Sequence, residues 1–293
     1  MITQTLDTLT SRFAVPILIT FLGLGALTLQ GASAGIQAAS VQPDYTALAD
    51  EVSPANGVEL PVVWGDLGKK LVERGVIDRE KWTEIYRSLS AEEARLIDGN
   101  SPEKLRITRE NAAYLLNLFW ALGLGNQNPI LQDEAGMENP EYGGAGYFAS
   151  TGGWSLAKGE AMEHYGKYAL APLTGEQQAL VKKISDGIYR PCCDNPTSFP
   201  DCNHGMAMLG LLELLAYQGA NEEEMWDAAL AANSYWFPDT YQIIALSMKQ
   251  RGVAWSDVSP QEVLGKEYSS YTGFSRIAAA VAPSAGSGAS CSV

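Results

Sequence analysis

The sequence predicts an all-α protein, an irregular multi-helix globular domain with long loops. Three observations carry that expectation. Helix start and stop signals recur through the middle of the chain, apolar residues there return at helical intervals, and strand signals hardly occur. The 293 residues are 46% hydrophobic and 18% charged, the composition of a chain that folds around a core rather than one that stays disordered. No segment recurs at a fixed period, which argues against a solenoid.

Residues 1–34 read as a signal peptide or membrane anchor. A polar start ending in Arg12 leads into an uncharged apolar run from Phe13 to Gln30, followed by Ala32 and Ala34 in the small-x-small pattern of a cleavage site. The 18-residue run exceeds a usual signal core of about 7–15 residues and approaches the roughly 17–25 that span a bilayer, so cleavage and anchoring both stay open. No Lys or Arg follows Arg12 until Lys69, which places the N-terminus in the cytoplasm and the rest of the chain on the extracytoplasmic side, tethered through residues 13–30 if they are not cleaved. Residues 35–62, rich in Ala, Ser, Pro and Asp, read as a flexible tether, and residues 283–293 as a disordered Gly/Ser/Ala tail.

The helical domain is expected over 63–282. Helices are expected from Gly65 to Arg74 and from Arg79 to Ser88. Ser90 with Glu93, Thr174 with Gln177, Asn221 with Glu224 and Ser259 with Glu262 have capping-box spacing, the last with Pro260 at the first helical position. Thr108 opens a segment in which Ala112, Leu115, Leu116, Phe119 and Leu122 recur helically, with Gly123 as its stop. Leu180, Val181, Ile184 and Ile188 form one face of another helix, and the stretch after His204 is apolar nearly all round, which marks a central helix. Further helices are expected from Glu222 to Tyr235 and from Asp239 to Arg251, the latter stopped by Gly252. Between them, Glu141 to Trp154 is a loop with five glycines among aromatic and hydroxyl residues. It lacks the Gly-Lys-Ser/Thr of a phosphate loop and reads either as a cover for a site or as a connection needing positive φ.

The net charge of −14 and a pI near 4.6, with no run of Lys or Arg, argue against nucleic-acid binding and against docking on anionic lipid.

Chemistry concentrates between Arg190 and Gly205, where Cys192, Cys193, Cys202 and His204 fall within thirteen residues. Pro191, Pro196 and Pro200 exclude a regular helix there, so a constrained loop is expected to fold these four side chains together. Three thiolates and an imidazole are the Cys3His set of closed tetrahedral zinc sites. Zinc is the first choice of ion, with copper and iron–sulfur as alternatives, and Met206 and Met208 would suit monovalent copper. Adjacent cysteines can share one ion only if the backbone turns sharply between them, a turn that Pro191 and Pro196 would help to set.

Two other readings stay open. An exported chain is free to form disulfides, and one of the adjacent pair can bridge to Cys202, leaving the other and Cys291 over; the chain would then be a disulfide-stapled interaction module without catalysis. A metal- or thiol-dependent enzyme would use a reactive cysteine, His164 as acid/base and the loop Tyr142–Gly153 as part of its substrate site. The aromatic run from Tyr235 to Tyr241 reads as core or as pocket wall. No nucleophile elbow, His-Glu-x-x-His box or dinucleotide fingerprint identifies an enzyme.

Overall fold

The computed structural model describes residues 45–281. Over these residues the chain is predominantly helical, with one two-stranded antiparallel sheet. The helices are α1 (Tyr45–Val52), α2 (Leu67–Arg74), α3 (Arg79–Ile85), α4 (Ala91–Asp98), α5 (Ala112–Gly125), α6 (Gly175–Gly187), α7 (Asn203–Tyr217), α8 (Glu222–Trp236), α9 (Pro238–Gln250), α10 (Pro260–Leu264), α11 (Lys266–Ser269) and α12 (Tyr271–Val281). The expected signal or anchor segment 1–34 and the tail 283–293 lie outside the described residues. None of the described helices is long and apolar enough to cross a membrane.

The expectation of helices alone is corrected by the sheet, formed by β1 (Val58–Gly65) and β2 (Ser101–Ile107). Its first strand, together with α1, also corrects the expected tether, whose range of 35–62 they enter. Leu60, Val62 and Trp64 alternate inward along β1 and are buried, as are Leu48 and Val52, one turn apart on α1. Pro61 disguises the strand, since proline cannot donate to a ladder; here the register shifts between Glu59 and Val63, beside that proline. On that same strand the Gln218 side chain behaves like an added strand residue, its Oε1 accepting from Val63 N at 2.8 Å and its Nε2 donating to Val63 O at 2.6 Å. That pair ties the end of α7 to β1. Arg109 closes the last turn of α1, donating to the carbonyls of Ser53 (2.9 Å) and Ala49 (3.0 Å).

The capping signals form as the spacing implies. Ser90/Glu93, Thr174/Gln177 and Asn221/Glu224 are reciprocal capping boxes; Ser259 caps α10 by accepting from Glu262 N, with Pro260 at the helix start. Helix α9 ends where expected, with Gly252 at φ 82° just beyond it.

At the centre, α5 packs along α7, both buried on almost every side. Gly123 does not stop α5. The helix runs on to Gly125, and Gly123 faces Gly210 of α7: a Cβ on Gly123 would strike the Met206 carbonyl, and one on Gly210 would strike the Phe119 carbonyl and lie 2.7 Å from Gly123 N. Backbone touches backbone at this crossing. Gly210→Ala should therefore lower stability by about 1–3 kcal/mol, the overpacking cost exceeding the roughly 1 kcal/mol of helix propensity that alanine brings. A chemical denaturation midpoint at or above the parent's would show that the two helices can separate without cost.

Glu213 is a buried carboxyl on α7 with Oε1 accepting from Asn128 Nδ2 at 2.7 Å and Oε2 unpartnered. Burial pushes its pKa well above the ordinary carboxylate range, against the amides of Asn128 and Asn126. The folded value exceeds the unfolded one, so the folded state holds the proton more tightly. Stability is thus fully present below the unfolded value of about 4.3 and is lost as pH rises through the folded value. Glu213→Gln should remove that alkaline decline, read as melting temperature against pH from about 4 to about 9, on either side of the ordinary carboxylate pKa; parallel curves for the two proteins would refute the assignment.

Candidate metal centre

Local backbone chemistry folds the cysteine loop before any ion is considered. After α6, Tyr189 and Pro196 form an isolated antiparallel bridge, and Thr197 N donates to Ile188 O at 2.8 Å, so residues 190–196 double back as a short hairpin. Its tip begins with a four-residue turn in which Cys193 N donates to Arg190 O at 3.2 Å and Pro191 takes the second position, where its fixed φ suits the turn. This is the sharp bend that adjacent cysteines need. A second turn follows, Phe199 N donating to Pro196 O at 2.9 Å, and the chain then enters α7 with Cys202 as N-cap, its Sγ accepting from Gly205 N at 3.4 Å.

The result is a three-sulfur group. The Sγ atoms of Cys192, Cys193 and Cys202 all lie within 4.8 Å of one another, and those of Cys192 and Cys202 are 3.5 Å apart. The thiols are half-buried and unbridged. Arg190 lies against them, fully buried, with Nε 3.3 Å from Cys202 Sγ and Nη2 3.2 Å from Cys193 Sγ. The same Nη2 donates to Phe199 O (3.3 Å) and Asp201 Oδ1 (2.8 Å), while Asp201 Oδ2 accepts from Asn195 Nδ2 at 2.8 Å. Gly205 makes room for this guanidinium, since a Cβ there would come 2.8 Å from Arg190 Cζ.

Electrostatics divide the three thiols. Hydrogen bonds from Cys192 and Cys193 hold the Cys202 thiol well below its ordinary value, helped by the Arg190 charge, while Cys192 is pushed up by its bonds to the other two sulfurs and by burial. Of the three, Cys202 is thus the thiol whose proton leaves most readily. Burial lowers the Arg190 pKa, but the sulfurs of Cys202 and Cys193 and the Asp201 carboxylate outweigh it, so the net shift is upward. For Asp201 burial wins, raising its carboxyl above the ordinary range despite the Arg190 charge.

His204 does not join the sulfurs. No ring nitrogen of His204 belongs to the donor set gathered within 4.8 Å. The ring is buried against Phe237, with centroids 4.3 Å apart, and against Trp236 at 6.2 Å; burial lowers its pKa to about 4. Helical geometry explains the parting: Cys202 caps α7 from outside, whereas His204 lies within its first turn and points into the core. Met206 and Met208 are likewise fully buried in that core. Cys291 lies outside the described residues.

His164 has both ring nitrogens engaged, Nε2 with Lys158 O at 2.8 Å and Nδ1 with the Tyr168 hydroxyl at 2.9 Å. A carbonyl only accepts, so Nε2 carries a proton. The aromatic run is mainly structural: Trp236 and Phe237 flank His204, and Tyr241 is buried with its hydroxyl on Ser269 and Asn233. The Gly-rich loop, by contrast, abuts the cysteine loop. Phe148 meets Phe199 edge-on and Tyr142 meets it tilted, at centroid distances of 5.3 and 5.6 Å, and Ser150 N donates to Asp201 O at 3.3 Å. Gly143 and Gly144 both take positive φ, 83° and 98°, as the connection reading requires.

The cysteine loop also holds the last described helix, because Asp194 accepts from Thr272 N at 2.8 Å and Thr272 Oγ1 at 2.7 Å at the start of α12. The residue that sequence reasoning missed is Arg190, visible there only as a cation beside a proline and two cysteines. No protein-family model matches this chain, and neither a curated protein nor a solved structure matches it.

Proposed function

We propose that this chain is an extracytoplasmic metal-binding protein in which the Cys192, Cys193 and Cys202 thiolates hold one metal ion. The observation that carries the reading is three mutually close sulfurs beside a fully buried guanidinium. Like charges crowd when three thiolates converge, and a cation among them relieves that crowding as Arg190 alone does not. Arg190 and Gly205 N–H act from outside the sulfurs, fixing their positions and balancing charge, as outer partners of metal ligands do. The Gly-rich loop supports the cysteine loop from its far side through Phe148 and Phe199.

An iron–sulfur cluster would take four protein thiolates, one more than this group offers, so a single ion is the better fit. Export, and a membrane tether if residues 13–30 are retained, rest on the N-terminal sequence signals. The acidic composition and lack of basic runs support partners other than nucleic acid.

A second reading rests on the 3.5 Å separation of Cys192 and Cys202 sulfurs: loss of two electrons and two protons to an external thiol oxidant would join this pair. Elemental analysis with a free-thiol count on the full chain, purified without reductant or chelator, separates the two. The metal reading expects about one ion per chain, as for a closed thiolate site, with no disulfide and no change in Cys291→Ser. Absence of metal together with a Cys192–Cys202 bridge would establish the stapled form.

A further inference from the structure

We infer that this site is three-coordinate and is built for a soft, thiophilic ion of the monovalent-copper class in preference to zinc. The inference rests on Cys192, Cys193 and Cys202 being ligands, and it names the kind of ion they take. Among the described residues no fourth Cys, His, Asp or Glu donor joins the three sulfurs within 4.8 Å. Of the two sequence neighbours with suitable donor atoms, Asp201 has both oxygens engaged and His204 keeps its ring nitrogens outside the 4.8 Å set. His204 lies against Phe237, and Asp201 has Oδ1 on Arg190 and Oδ2 on Asn195.

The polar groups that do touch the sulfurs are hydrogen-bond donors: Nε and Nη2 of Arg190 and the backbone N–H of Gly205. None can ligate a cation, because a guanidinium has no acceptor atom and stays protonated. A structural zinc site takes four protein ligands in a tetrahedron, and this set would leave zinc one short. Soft thiolates alone satisfy monovalent copper. Such an ion leaves more negative charge on three thiolates than a divalent one does, and the buried Arg190 is the group that offsets it. Met206 and Met208, the soft donors expected from sequence, are absorbed by the core and are not needed.

The test is X-ray absorption on the reduced full chain, loaded anaerobically in one sample with Cu(I) and in another with Zn(II). We expect about one copper per chain bound by three sulfurs and no nitrogen, and zinc with three sulfurs plus one oxygen from water. His204→Asn should leave both shells unchanged; if that variant fails to fold, the parent spectra decide alone. A nitrogen in either shell, lost in His204→Asn, would restore the Cys3His zinc site: the inference would then fail while the metal reading stood. Failure to bind either ion would overturn both.

Discussion

Replacing Cys202 with serine should empty the metal site while leaving the fold in place. Serine is among the best N-cap residues, so the introduced hydroxyl can accept from Gly205 N as Cys202 Sγ does, and α7 should start at the same point. What disappears is the sulfur that both partner thiols face, 3.5 Å from Cys192. Metal content should fall from about one ion per chain to near zero, and with it the metal-linked stabilisation, which at free metal about 100-fold above Kd amounts to about 2.7 kcal/mol. The apo forms of the two proteins should share the same helix content, the variant melting somewhat lower because Arg190 Nε loses its contact with Cys202 Sγ. Retention of full metal content by Cys202→Ser would remove the basis of the proposed function.

Arg190→Met should be the most damaging single change at the site. It strips the cation that touches the sulfurs and leaves Asp201 facing them with its charge unmatched. Breaking a buried pair from one side costs about 3–5 kcal/mol, because the remaining charge is stranded. Arg190→Lys should recover little, since a single edge of the planar guanidinium serves Cys202, Cys193, Phe199 and Asp201 together, and an ammonium cannot reproduce that fork. Arg190→Met combined with Asp201→Asn should recover part of the loss, because the stranded carboxylate is gone. A urea midpoint for Arg190→Met equivalent to within about 1 kcal/mol of the parent would mean that the buried charge contributes little.

Short-range chemistry makes much of the fold legible. Three reciprocal capping boxes, the Pro260 start and the helical recurrence of Leu115, Leu116, Phe119 and Leu122 are properties of neighbouring residues, and a neighbour relation survives in any tertiary setting. The sheet is hidden because β1 carries Pro61 and shifts register and has apolar Val63 between its inward residues, while β2 buries only Leu105 and Ile107 beyond its first residue. Gly123 misleads for a related reason: a glycine that permits close helix packing and one that ends a helix look alike until the partner, Gly210, is known.

At the site the division is similar. That the three thiols gather follows from the chain's local order, because Pro191 and Pro196 bend a short segment and Cys202 comes only ten residues after Cys192. Which further groups meet the sulfurs depends on packing between distant elements. Packing turns His204 inward onto Phe237 at the α8–α9 junction and seats the Arg190 guanidinium over Gly205. The direction in which a side chain is buried depends on what lies beyond α7, and that apolar surface is supplied by Trp236 and Phe237, far along the chain from the cysteines and beyond the reach of any local pattern.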